Sequence, residues 1–152
     1  MSALNANVDI SGELDITCVP DKVEVGRVRS LVDFQLGDWG LSRMAADMCL
    51  IASELVTNAL ECAPGREIRV RLRREPEGVL LGVWDPSDEM PVVHALDELT
   101  LADVAPDPDA LDPGHEAGTC GRGLPIVEAL SSEWQVEKTA PHGKWVWSRI
   151  VI

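Results

Sequence analysis

Glu54-Leu55-Val56-Thr57-Asn58-Ala59 is the stretch from which the rest of the chain is read. It lies within a run, 41–62, where Leu41, Met44, Met48, Ile51, Leu55, Ala59 and Cys62 recur at steps of three and four. That spacing gives a helix one continuous apolar stripe, so the run is predicted to be a long helix seated on a core. Glu54 and Asn58 are four residues apart and therefore neighbours on one flank of that helix. At ~100° per residue, Asn58 falls roughly 60° and Glu54 roughly 100° from the centre of the stripe. Both should line a cleft beside the core. An amide oxygen there can ligate Mg²⁺, and a carboxylate beside it can take a proton from a nucleophile. The competing reading is a solvated helix flank.

Working outward, Asp21 and Glu24 have capping-box spacing and open an earlier helix. Val25, Val28, Leu31, Val32, Leu36 and Trp39 give it an apolar face, with Gly37 as a reasonable stop, although Trp39 argues for one more turn. Residues 8–18 read as a strand before it. After the long helix, Pro64-Gly65 breaks the pattern, and strands follow at 66–74 and 78–85. Arg69, Arg71 and Arg73 alternate with Ile68, Val70 and Leu72, so the arginines belong on the outward face of one strand. They form either a solvated face or a docking patch for an acidic partner. Residues 86–119 are rich in Asp, Pro and Gly, with one helical turn around Leu96–Val104; a stretch that long without structure is usually functional. A third helix fits 123–131, with Pro125 in its first turn, and strands fit 133–139 and 144–151. The expected fold is α+β: a two-layer sandwich in one domain, 1–152, with a mixed sheet covered on one face by about three helices.

Composition narrows the function. The chain has 152 residues with 26 acidic and 13 basic side chains, a formal charge of −13. Such a surface repels a phosphate backbone, which argues against nucleic acid as a direct partner. No apolar run reaches the ~18 residues that span a bilayer and no charged-then-apolar leader is seen, so a cytoplasmic protein without a membrane partner is expected. Cys18, Cys49, Cys62 and Cys120 lack CxxC spacing, and neither a zinc site nor a disulfide framework is indicated.

Two further clusters carry chemistry. Asp85 ends the apolar run Val79-Leu80-Leu81-Gly82-Val83-Trp84 and precedes Pro86. A carboxylate beside a buried sheet can accept a hydrogen bond from an amino group such as that of adenine; a turn-initiating Asp is the alternative. Gly118-Thr119-Cys120-Gly121-Arg122-Gly123 opens the third helix, where glycines admit phosphate oxygens and free N–H groups favour anions. It is neither a Walker loop nor a Rossmann fingerprint, and a flexible connector is the alternative.

The order of these clusters resembles the Bergerat-type superfamily of DNA gyrase, histidine kinases and MutL. The wording is similar to that of its anti-sigma factor serine kinases. Ser53–Ala59 looks like their N box, Val83-Trp84-Asp85-Pro86-Ser87-Asp88-Glu89-Met90-Pro91 like a first glycine box that has lost its glycines, and Gly121–Ser131 like the second. The resemblance implies Glu54 as catalytic base, Asn58 as Mg²⁺ ligand and Asp85 as acceptor for the adenine amino group. It implies Gly121 and Gly123 as hinges of an ATP lid, about 86–122, with Arg122 and Leu124 beside the nucleotide. It further implies ATP and Mg as cofactors, a sigma factor and an antagonist protein as partners, and a homodimer. The expected function is a serine/threonine protein kinase that phosphorylates the antagonist and sequesters the sigma factor. The alternative is a partner-sequestering module, ATP-binding or nucleotide-free, with little or no kinase activity. The chain departs from relatives in three places: Cys62 replaces a histidine, Glu89 a glycine, and Trp145 a threonine that helps hold adenine. Trp145 is expected to stack against the base or to obstruct it.

Overall fold

Alternation along the strands decides which side of the sheet is buried. In a computed structural model, residues 13–89 and 124–152 are described in full and 5–8 by their backbone. The chain forms β1 (Asn5–Val8), β2 (Leu14–Cys18), α1 (Lys22–Asp38), a 3-10 turn (Ser42–Met44) and α2 (Ala45–Cys62). It continues with β3 (Ile68–Glu75), β4 (Gly78–Asp85), α3 (Leu124–Leu130), β5 (Glu133–Lys138) and β6 (Lys144–Val151). The strands lie in the order β1-β2-β3-β4-β6-β5. The α+β sandwich stands as expected, but every described pairing is antiparallel, so the sheet is not mixed.

Ile68, Val70 and Leu72 of β3 and Val79, Leu81 and Val83 of β4 point to the helices and are buried. They meet Val28, Val32 and Leu36 of α1, Met48, Ile51 and Leu55 of α2, and Leu124 and Val127 of α3 in one core. The α2 helix lies between the other two and packs on β4 and β6. Asp21 caps α1 as its sequence predicts, accepting from the Glu24 N–H at 2.8 Å. Its end comes later than Gly37: Trp39 is the C-cap, and Gly40 takes the left-handed turn at φ 74°. The predicted strand 8–18 is instead a hairpin, with Val8 opposite Leu14 and Asn5 opposite Thr17.

The outer face of the sheet carries the arginines. Arg73 pairs with Glu13 at 3.1 Å, Arg69 with Asp15 at 3.4 Å, and Arg71 lies 3.6 Å from Asp15. Two carboxylates thus face three arginines, and these cross-strand pairs offset most of the positive charge of the stripe. Each such pair contributes at most about 1 kcal/mol. Trp145 and Trp147 stack here at 4.7 Å, with the Arg71 guanidinium 5.2 Å from the Trp145 ring centre. Trp147 lies over Gly82, where an added Cβ would come within 2.2 Å of two ring atoms. Gly82→Ala is therefore expected to displace Trp147 and cost about 1–3 kcal/mol of unfolding free energy, measured in urea. An unchanged urea midpoint would contradict the tight packing.

Candidate functional site

Asp85 is the last residue of β4, two positions beyond buried Val83, so period-two alternation turns it toward the helices. It is 1% exposed. The antiparallel register sets it directly opposite Lys144, the first residue of β6. Lys144 is 0% exposed, and its ammonium donates to Asp85 Oδ1 at 2.9 Å and to the Ser87 carbonyl at 3.2 Å. The Ser87 N–H donates to the same Oδ1 at 2.9 Å. Burial pushes the Asp85 carboxyl above its ordinary value, and the Lys144 ammonium and Ser87 amide pull it back only in part.

Sequence reasoning missed Lys144 and misjudged Trp145. Lys144, Val146 and Ser148 alternate inward, which leaves Trp145 on the outer face, away from Asp85. Trp145 therefore neither stacks on nor blocks a ligand beside Asp85. The side chain that does contact Asp85 is Lys144. Trp84 is turned outward too, with its Nε1 donating to Thr139 Oγ1 at 3.0 Å. Deeper along β6, Ser148 Oγ shares a hydrogen bond with Ser131 Oγ at 2.5 Å, fastening the end of α3 to the sheet.

Asn58 lies on α2 and is 2% exposed, at the edge of the apolar stripe where the wheel places it. Glu54, one turn earlier, is half-buried, and burial pushes its carboxyl up from the usual range. It stands at the wall of a groove of about 870 Å³ between α1 and α2, together with Arg29, Asp33, Cys49 and Ser53. Cys62 is disulfide-bonded, against the expectation that the cysteines indicate no disulfide framework; its sulfur lies 3.8 Å from Asn58 Oδ1. Cys18 and Cys49 are free, and burial pushes the Cys18 thiol up to about 11. Leu124, fully buried, begins α3. Gly121, Arg122, Gly123 and most of the expected lid lie outside the described residues.

A family model for the histidine kinase-like ATPase domain matches residues 19–150. The chain belongs to that family. No curated protein sequence matches the chain. Membership brings ATP binding, typically with Mg, and ATP-using chemistry in general. Among the described residues no helix is long and apolar enough to cross a membrane. The donor set of this histidine kinase-like ATPase domain suits Mg-ATP. Asp85 is a buried acceptor at a sheet end, and Asn58 offers a hard neutral oxygen. Among the described residues no three His, Cys, Asp or Glu cluster as a metal cage.

Proposed function

We propose that this protein is an ATP-binding regulator, a serine/threonine kinase of the anti-sigma type. It phosphorylates a small antagonist protein and otherwise sequesters a sigma factor, working in the cytoplasm as a homodimer. The observation that carries the reading is that Asp85 at the end of β4 and Asn58 on α2, the helix packed on that strand, are both buried. Mg-ATP, when bound, supplies the transferable phosphoryl group and the cation that neutralises its charge. Asp85 orients the nucleobase by accepting from its amino group. Asn58 ligates the metal through its side-chain oxygen. The Gly121-Arg122-Gly123-Leu124 segment is assigned to the phosphates, as the hinge and contact of the lid.

Glu54 takes the proton from the substrate hydroxyl at its carboxylate. The α1/α2 groove gives a protein segment a route to it, with exposed Leu50 as an apolar contact among Arg29, Ser30, Asp33 and Ser53. Radiolabelled ATP with candidate antagonist proteins tests the chemistry. Glu54→Ala is expected to reduce label transfer by about 100-fold or more, the usual worth of a general base. Undiminished transfer would remove Glu54 from that role.

The raised Glu54 value sets the pH dependence. Transfer should fall as pH drops through a value above the ordinary carboxylate range, and Glu54→Gln should erase that acid limb. Stability has the opposite sense, since the folded state favours the protonated acid. Stability from this group is lost as pH rises from the ordinary carboxylate value to the raised one. Glu54→Gln should therefore raise the urea midpoint at pH 7, and a lower midpoint would contradict the assignment.

One observation favours a second reading, sequestration without phosphotransfer. Asp85 Oδ1 already accepts from Lys144 and Ser87, so part of the proposed base contact is engaged internally. Label transfer from radiolabelled ATP to the antagonist separates the two readings, because only the first requires it.

A further inference from the structure

The Asp85–Lys144 pair has bonding capacity left over. An ammonium has three N–H donors, and a carboxylate oxygen has two lone pairs. Lys144 Nζ uses one donor on Asp85 Oδ1 and one on the Ser87 carbonyl. Asp85 Oδ1 is filled by Lys144 and the Ser87 N–H, and among the described residues no donor reaches Oδ2. Among the described residues one acceptor and one charged donor therefore remain at directly opposed positions of β4 and β6, on the helix side of the sheet.

We infer that Lys144 is a specificity residue for the nucleobase, donating to adenine N1 while Asp85 Oδ2 accepts from the N6 amino group. The inference rests on the ATP-binding reading and deepens it. Adenine carries that donor and that acceptor side by side on one edge, matching the leftover pair in kind and number. Guanine carries an acceptor and a donor in the reverse order. In the orientation that suits adenine it sets O6 against Asp85 and N1–H against Lys144, like facing like. Pairing Lys144 with Asp85 thus converts a buried ion pair into a two-point reader of the base. The donor is charged, so its bond to N1 is stronger than one from a neutral hydroxyl. Trp145 takes no part, since it lies on the other side of the sheet.

The test compares Mg-ATP with Mg-1-deaza-ATP, in which N1 is a carbon, by calorimetry. Wild-type protein is expected to bind the deaza analogue about 10-fold or more weakly, the worth of one hydrogen bond from a charged donor. It should also prefer ATP to GTP. In Lys144→Met the deaza penalty should vanish. Because that variant leaves Asp85 buried without its cation, the neutral double variant Asp85→Asn/Lys144→Met is measured beside it and should show no penalty either. Equal wild-type affinity for ATP and its deaza analogue would overturn the role of Lys144 while leaving ATP binding intact. A penalty persisting in the variants would do the same. If wild-type protein binds neither nucleotide, the ATP-binding reading fails and takes the inference with it.

Discussion

Asn58→Ala should abolish Mg²⁺-dependent ATP binding, lowering affinity by at least about 100-fold. The magnitude follows because even partners that only support a metal ligand are worth about 10–100-fold, and Asn58 is assigned as a ligand itself. Its side chain is buried at the edge of the α2 stripe, so its amide is held in place by the core and is not free to be replaced by a neighbour. Alanine keeps the helix, being the strongest helix former, and the urea transition should move little compared with the binding loss. Calorimetry with and without Mg²⁺ checks the outcome. Retained metal-dependent affinity would move the ion to other residues.

Lys144→Met should have the largest effect on stability, a loss of about 3–5 kcal/mol, because removing one partner leaves the other charge buried and uncompensated. Asp85 and Lys144 are 1% and 0% exposed, so neither charge can turn to water without opening the sheet end. Domains of this kind are stable by only about 5–15 kcal/mol, which makes the single variant marginal. The double variant Asp85→Asn/Lys144→Met should recover most of the loss, since neutral groups of similar volume replace such pairs at little cost. Urea titrations of wild type, both singles and the double close the cycle. Additive losses would mean that the two side chains do not stabilise one another.

Much of the fold was legible because its longest elements are strongly periodic. The α2 stripe from Met48 to Cys62 and the alternation of Ile68, Val70 and Leu72 each mark a buried face, and the observed elements lie within a few residues of the predicted ones. The N-terminal hairpin was not legible, since four-residue β1 carries too short a pattern to separate from β2. At the candidate site, residue type and spacing nominate Glu54, Asn58 and Asp85, each beside a bland alternative, and their roles come from the order of the motifs and the resemblance it carries. Lys144 could not be found by type, because an isolated lysine is expected in solvent and a tryptophan inside. Parity did contain the answer: with Val146 inward, Lys144 must be inward and Trp145 outward. What makes the lysine tolerable is a carboxylate 59 positions earlier, a pairing that only the β4–β6 register reveals. The pairing of the arginine stripe with Glu13 and Asp15 is hidden for the same reason. So is the bonding of Cys62, which no short cysteine spacing announces.

A crystal structure with a non-hydrolysable ATP analogue and Mg²⁺ tests the account most directly. The expected result is an adenine amino group about 2.9 Å from Asp85 Oδ2, with N1 within similar reach of Lys144 Nζ and the metal on the Asn58 side-chain oxygen. An analogue seated elsewhere, with the Asp85–Lys144 pair closed against the base, would contradict it.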